Sequence, residues 1–171
     1  MATPAHLKKG KTVMYPHHGA AKIVEVADRP FRGEVEPHLR LEVAITSLQI
    51  WIPVSKIGTD EGQVPVRKVI DDEQLKEVKK CLREEFVEEP TNWSRRYKAN
   101  NEKLDSGEVM KVAQVVRDLW RRDQDKGLSA GEKRMLAKAR QVLESEWALA
   151  RGITEEAATA EVEKVLSTKK D

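Results

Sequence analysis

The spacing of apolar residues in this 171-residue chain changes near residue 70. Before that point apolar and polar side chains alternate, as they do through Leu39–Val43 and Leu48–Ile52, and this is the period of a strand with one buried face. From Asp71 onward apolar residues recur every three or four positions, which is the period of an amphipathic helix. The chain is therefore predicted to be α+β, with a β domain over residues 8–70 and an all-α domain over residues 71–168.

Short strands separated by turn residues organise the first domain. Their spacing favours a small twisted barrel or sandwich over a parallel sheet. The stretch Asp28–Gly33 has the composition of a turn, and Gln49 and Trp51 lie on the strand face opposite Leu48, Ile50 and Ile52. Trp51 is thus either an exposed aromatic anchor for a partner or a side chain that covers the barrel.

The second domain is predicted to be a compact bundle of about five helices. Asp71 and Asp72 are candidate N-caps of the first helix, whose apolar stripe extends to Phe86 before Pro90 stops it. Ser129 and Glu132 match a capping box, in which each side chain bonds the backbone N–H of the other residue. Trp147 is expected to lie in the core. The helices are expected to begin near Asp71, Trp93, Val109, Ser129 and Thr154.

Composition excludes several classes of protein. Charged residues make up 35% of the chain and AVILMFWYC residues 39%, too many apolar residues for a disordered chain. No apolar run reaches the roughly 18 residues of a membrane span, and residues 1–9 lack the apolar stretch of a secretory signal. The single cysteine, Cys81, suits a reducing compartment. We therefore expect no membrane partner and a cytoplasmic location.

The net charge of +2 conceals an uneven distribution. Residues 1–70 carry a net +3, residues 71–92 a net −4, residues 93–140 a net +6 and residues 141–171 a net −3. A basic block between acidic ones is typical of a surface that contacts nucleic acid. The alternative is a solvated helix face that is rich in lysine and arginine.

No constellation of an enzyme or a metal site is evident. His17 and His18 are adjacent on a turn and have no Cys, Asp or Glu near them in sequence. Cys81 lies between Val78 and Leu82 on an amphipathic helix, where a buried thiol is expected rather than a nucleophile. The glycine-rich, zinc-protease and nucleophile-elbow motifs are absent. The sequence favours a binding protein with no cofactor and no metal over an enzyme.

The segment from Glu88 to Lys98 combines aromatic and cationic side chains. Trp93 and Tyr97 are four residues apart and share one helix face, whereas Arg95, Arg96 and Lys98 project from other faces. Such a surface could stack on bases and bind phosphates. The alternative is that both aromatic rings simply pack into the bundle.

Four stretches resemble one protein family. They are VMYPHHGA at residues 13–20, EPTNWSRRYKAN at 89–100, VVRDLWRRDQ at 115–124 and LSAGEKRMLAKAR at 128–140. In this order they are similar to the CarD/CdnL family of bacterial transcription factors, above all its actinobacterial branch, and the resemblance covers about residues 8–150.

The resemblance implies a role for each domain. A Tudor-like β domain, shared with transcription-repair coupling factors, would bind the β subunit of RNA polymerase, and Arg29 matches an arginine of that surface. Trp51 stands where family members carry a second arginine, and an edge-strand contact made by backbone groups would tolerate that change. The helical domain would contact promoter DNA at the upstream edge of the transcription bubble.

On the DNA side the family's tryptophan wedge matches Trp93. Basic residues of the family that hold the DNA backbone match Arg122, Lys133 and Lys138, and Arg95, Arg96 and Lys98 flank the wedge. The expected function is a transcription initiation regulator that stabilises the open promoter complex and acts on holoenzyme with the housekeeping sigma factor. The alternative is a general nucleic-acid-binding adaptor whose β domain binds another protein or RNA. Residues 32–38 and the last 20 residues match poorly and are assigned no role.

Overall fold

The structure is a computed structural model that describes residue 4 and residues 7–15, 18–58, 60–85 and 90–168. Contacts within the chain divide it into two units between Val69 and Ile70, one residue before the boundary expected from the sequence. Two predicted features lie outside the described residues: His17 of the histidine pair and Phe86 of the first helix's stripe. No helix in the described part of the chain is both long and apolar enough to cross a bilayer.

In the first unit the described residues form a five-stranded antiparallel sheet with strand order β4-β3-β2-β1-β5. A short 3-10 helix follows β4. The strands are β1 Thr12–Tyr15, β2 Gly19–Phe31, β3 Glu34–Val43, β4 Gln49–Pro53 and β5 Arg67–Lys68. All of these neighbouring strands are antiparallel, as the predicted Tudor-like class requires.

The β2–β3 hairpin is longer than the sequence indicated. Strand β2 continues through Phe31, which pairs with Glu34, so the turn consists of Arg32 and Gly33 alone. Both turn residues have positive φ, 51° and 85°, which is the backbone of a two-residue turn that matches the twist of its strands. The prediction of a turn over Asp28–Gly33 is therefore wrong for Asp28–Phe31, because cross-strand pairing continues to the last residue before the turn.

One face of the sheet carries the core of this unit. Leu39 is fully buried between Val26 and Ile52, its partners on the neighbouring strands, as the alternating pattern predicted. Leu48 departs from that pattern. It precedes β4, lies in the β3–β4 turn and is 47% exposed, so the inward-facing alternation begins only at Ile50.

The second unit contains five α-helices among the described residues. They are α1 Asp72–Arg83, α2 Trp93–Asp105, α3 Val109–Asp125, α4 Ala130–Arg151 and α5 Glu155–Ser167. Residues from all of them except α2 fill one buried apolar core, and α2 contributes the partly buried Tyr97 and Leu104. Trp147 is fully buried there, which confirms its predicted place in the core.

Side-chain caps set where the helices begin. Asp71 accepts a hydrogen bond from the backbone N–H of Gln74, whose side chain bonds Asp71 in return, so α1 opens with a complete capping box. Thr154 caps α5 from the side chain, and Gly152 ends α4 with a left-handed φ of 67°. Each cap offsets roughly 1 kcal/mol of unsatisfied backbone hydrogen bonding.

The helical core also contains charged groups, each with a partner. Arg117 is 3% exposed and bonds Asp118 and Glu84 at 2.8 and 3.0 Å. The Cys81 sulfur lies 3.7 Å from the same guanidinium, and burial raises the pKa of its thiol. The thiol is therefore buried and protonated, as expected for a structural cysteine rather than a nucleophile.

Helices α4 and α5 are joined through Glu161. Its carboxylate accepts hydrogen bonds from the Trp147 indole at 2.6 Å and from Arg151 at 2.8 Å. The Arg151 bond, with the one from Trp147, lowers the pKa of Glu161 from 4.5 to about 2 against the opposing effect of burial. A carboxylate whose pKa is lower in the folded state stabilises the fold when it is ionised.

This contribution predicts a specific acid sensitivity. The stabilisation by Glu161 should be complete above about pH 4.5 and lost progressively as the pH falls to about 2. Glu161→Gln should lower the free energy of unfolding at neutral pH, and its difference from wild type should vanish in acid. Urea unfolding as a function of pH measures both quantities. Glu102→Gln, which neutralises an exposed carboxylate on α2, serves as the control, and an equal effect of both variants would contradict the assignment.

Candidate nucleic-acid and protein interfaces

Trp93 is the first residue of α2, and its position follows from the helix start. Asn92 caps α2 by accepting a hydrogen bond from the backbone N–H of Arg95. The Trp93 ring stacks on Tyr97 with ring centroids 5.0 Å apart and the planes 21° from parallel. Tyr97 packs against the helical core, whereas Trp93 remains 45% exposed. The alternative that both rings pack into the bundle therefore holds for Tyr97 alone.

A hydrogen bond fixes the orientation of the exposed indole. Trp93 Nε1 donates to the Ser129 hydroxyl at 3.1 Å. The same oxygen caps α4 by accepting from the backbone N–H of Glu132, and it donates its own proton to Glu132 Oε1. All the hydrogen-bonding capacity of this hydroxyl is thus used. Glu132 turns its carboxylate to the hydroxyl and to an arginine, and the bond from the Glu132 backbone N–H to the Ser129 side chain is the one that the predicted capping box requires of Ser129.

Arg96 differs from the other cations of its segment. Its side chain is buried, at 3% exposure, and its guanidinium bonds both carboxylate oxygens of Glu132 at 3.0 and 3.3 Å. It also donates to the backbone carbonyls of Pro90 and Thr91, just before α2 begins. The prediction that Arg96 projects from the surface and binds DNA is corrected: this arginine ties the start of α2 to the first turn of α4.

The buried pair also controls the protonation of Glu132. Burial raises the pKa of this carboxyl, but the hydrogen bonds and charge of Arg96, with the bonds from Ser129, outweigh it. The net pKa is lower than the ordinary value, so the carboxylate stays ionised and the ion pair persists at neutral pH. The network Trp93–Ser129–Glu132–Arg96 is therefore continuous from the exposed ring to the loop before α2.

The remaining predicted DNA-binding cations lie at the surface. Arg95 and Lys98 are exposed on α2, and Lys133 and Lys138 are exposed on α4. None of these four side chains has a carboxylate partner within the part of the chain that the structure describes. Arg122, at the end of α3, is half-buried, and its Nε has no hydrogen-bond acceptor among the described residues.

Sequence reasoning missed Arg134. A Cβ atom placed on Gly131 would lie 3.5 Å from Tyr97 Cε2, 3.8 Å from Trp93 Cζ2 and 4.0 Å from Arg134 Nη2. Arg134 therefore lies beside the aromatic pair. The sequence signal was available, because Gly131, Arg134 and Lys138 share one face of a helix at spacings of three and four residues.

In the first unit, the sheet face opposite the core brings Arg29 and Trp51 together. Arg29 is on β2 and Trp51 on β4, yet the guanidinium reaches across β3 and lies 4.3 Å from the centroid of the indole ring. Arg40, directly opposite Trp51 in the strand register, lies 5.7 Å from the same ring. Trp51 is 36% exposed, so it covers part of this sheet face and remains partly accessible to solvent.

The two arginines differ in their carboxylate partners. Arg40 forms an ion pair with Glu25 at 2.9 Å. Arg29 forms none within the described residues, and its cross-strand neighbour Glu36 accepts a hydrogen bond from Ser55 at 2.6 Å. The Trp51 ring holds the Arg29 guanidinium in place through a cation–π contact. Arg40 is a second residue of this surface that the sequence did not reveal.

No group of three or more His, Cys, Asp and Glu side chains in the described residues could hold a metal ion.

Two family models match the chain: the CarD-like/TRCF RID domain over residues 7–70 and the CarD C-terminal domain over residues 77–163. The chain is also 34% identical over 146 residues to the "Putative transcription factor YdeB" of Bacillus subtilis (strain 168). That alignment covers 85% of this chain and 93% of the relative.

The chain belongs to the CarD/CdnL family. This family is one of transcription factors rather than of enzymes, and the RID match confirms the Tudor-like class of the first unit. Since both domain models match in the order found here, the two candidate surfaces belong to a CarD-type protein in which a RID domain precedes a helical domain.

The structural role of Arg96 can be tested by stability. Arg96→Ala should lower the free energy of unfolding by about 3–5 kcal/mol, because it leaves a buried carboxylate without its partner. Arg95→Ala, one position away and exposed, should change it by less than about 0.5 kcal/mol. Urea unfolding followed by circular dichroism measures both. A stable Arg96→Ala variant with weakened DNA binding would contradict the structural role and indicate that Arg96 contacts DNA.

Proposed function

We propose that this CarD-family protein is a transcription initiation regulator that binds the RNA polymerase β subunit and stabilises the open promoter complex. The observation that carries the proposal is Trp93: a half-exposed indole, oriented by Tyr97 and Ser129, at the start of a helix whose exposed cations Arg95 and Lys98 have no carboxylate partner among the described residues. We further propose that it acts in the bacterial cytoplasm on holoenzyme with the housekeeping sigma factor.

A fixed indole is suited to act as a wedge at an opened base step. Unstacking a step costs a few kcal/mol, and stacking a base on an aromatic ring contributes about 1–3 kcal/mol. Because Trp93 is already oriented by a stack and a hydrogen bond, little side-chain freedom is lost on insertion. Each roughly 1.4 kcal/mol by which the protein favours the open state shifts the equilibrium between closed and open promoter tenfold.

The exposed cations supply the second part of the proposal. Arg95, Lys98, Lys133 and Lys138 lie at the surface without carboxylate partners among the described residues, and Arg122, half-buried at the end of α3, is a further cation of this unit. Lysine and arginine contacts to phosphates position a protein on DNA without reading its sequence. The choice of promoter is then left to polymerase and its sigma factor.

The sheet face of the RID domain supplies the polymerase contact. Arg29 projects an unneutralised charge over Trp51, and β4 is an edge strand of the described sheet. An edge strand can pair with a strand of the partner, while Arg29 and Trp51 contribute side-chain contacts. Binding to polymerase raises the local concentration of the helical unit at the promoter, so weak affinity for free DNA suffices. A net charge of only +2 is consistent with that arrangement.

Replacing the wedge should separate DNA opening from polymerase binding. Trp93→Ala should shorten the lifetime of the open complex about tenfold, because about 1.4 kcal/mol of stacking is lost, and leave polymerase affinity unchanged. Heparin-challenge kinetics with purified holoenzyme measure the lifetime. Trp93→Phe, which keeps a ring but loses the bond to Ser129, should give an open-complex lifetime between those of wild type and Trp93→Ala. An unchanged lifetime for Trp93→Ala would refute the wedge.

Reversing one charge should identify the polymerase-binding face. Arg29→Glu should weaken binding to the polymerase β subunit at least tenfold, because it replaces an exposed cation at the proposed contact with an anion. Lys22→Glu makes the same charge change at an exposed position on the same strand and should have little effect. Calorimetry with the full-length protein compares them. Equal affinities for wild type and Arg29→Glu would show that another surface, or another partner, is used.

A further inference from the structure

The N-terminal part of α4 places an arginine, Arg134, beside the aromatic pair. Gly131 has no side chain, and the position of its missing Cβ is 3.8 Å from Trp93 Cζ2 and 4.0 Å from Arg134 Nη2. The indole edge and the guanidinium therefore border the same small area of surface. The Tyr97 ring, whose Cε2 is 3.5 Å from that position, stacks on the Trp93 ring.

The charge of Arg134 is uncompensated. The side chain is exposed and forms no hydrogen bond or ion pair with any residue that the structure describes. The nearest carboxylate in sequence, Glu132, is buried and occupied by Arg96 and Ser129. An arginine left free next to an exposed ring is suited to an external anion, and its planar fork of N–H donors matches a phosphate.

We propose that Arg134 and Trp93 bind one and the same nucleotide of the promoter. Trp93 stacks at the opened base step, and Arg134 binds the phosphate of the nucleotide whose base has left the stack. Base and phosphate of a nucleotide are joined through one sugar, so a base drawn to Trp93 brings its phosphate to the area beside Gly131. This inference rests on the proposed wedge function and adds the ligand of a residue to which no role was assigned.

Binding to one nucleotide makes the two residues interdependent. Without Trp93 the base stays stacked, so its phosphate is not presented to Arg134 and the arginine loses its effect. Lys138 provides the contrast, because it lies four residues further along the same face of α4 and would contact a phosphate whose position does not depend on the opened base. Residues that share one ligand give non-additive effects in a double-mutant cycle, and independent residues give additive ones.

The test measures open-complex lifetimes with purified holoenzyme and the full-length protein. Arg134→Ala should shorten the lifetime about fivefold, the factor for about 1 kcal/mol. Adding Arg134→Ala to Trp93→Ala should shorten the lifetime no further. Adding Lys138→Ala to Trp93→Ala should shorten it by the product of the two single-variant factors. Arg134→Lys, which keeps the charge but not the fork, should be intermediate. Urea unfolding of Arg134→Ala should match wild type, since the side chain has no partner among the described residues.

The DNA provides a matched control. A methylphosphonate, which removes the charge of one phosphate, is placed in turn at successive positions across the upstream fork. At one position it should shorten the lifetime with wild-type protein and abolish the difference between wild type and Arg134→Ala. At neighbouring positions that difference should remain.

The outcomes distinguish this inference from the function on which it rests. If Trp93→Ala shortens the lifetime but Arg134→Ala has no effect, or multiplies with Trp93→Ala as Lys138→Ala does, the shared nucleotide is refuted and the wedge stands. The same holds if no methylphosphonate abolishes the effect of Arg134→Ala. If Trp93→Ala leaves the lifetime unchanged, both proposals fail.

Discussion

The candidate DNA-binding surface depends on one buried ion pair between Arg96 and Glu132. It connects α2, which carries Trp93, to the N-terminal part of α4, which carries the exposed cations Lys133 and Arg134. Two buried charges are costly unless each is fully bonded, and here both carboxylate oxygens and most donors of the guanidinium have partners. The same carboxylate holds Ser129, which in turn holds the indole of Trp93.

The cations of the helical unit fall into two groups, paired and unpaired. Arg96, Arg117 and Arg140 bond carboxylates within the fold and hold helices together. Arg95, Lys98, Lys133, Arg134 and Lys138 have no such partner among the described residues, and their charge is available to phosphates. The basic residues of 93–140 are therefore divided between those paired within the fold and those left unpaired. A count of lysine and arginine along the chain overstates the number of cations that a polyanion would meet.

The surroundings of each of the four tryptophans determine its role. Trp147 is fully buried and donates to Glu161, and Trp120 packs partly buried against the same core. Trp93 is exposed but held by a stack and a hydrogen bond, and Trp51 lies under two arginines on a sheet face. A large rigid ring contributes burial in the first two places and a preorganised contact surface in the other two. The same side chain thus has a structural or an interfacial role according to what surrounds it.

Local patterns were sufficient to predict two domains, their classes and the family. These patterns are the change of apolar period, the caps at Asp71, Ser129 and Thr154, and the run of residues around Trp93. They did not reveal that Arg96 is buried while Arg95 is exposed, since the burial depends on Glu132, 36 residues further along the chain. They also did not reveal Arg134 beside Trp93, Arg40 beside Trp51, or the strand that replaces the expected turn at Asp28. In each case pairing across elements decides the outcome. Local sequence patterns determined the class of each unit and where its helices begin. The tertiary structure alone decided how far β2 extends, which charges are satisfied within the fold and which remain unpaired.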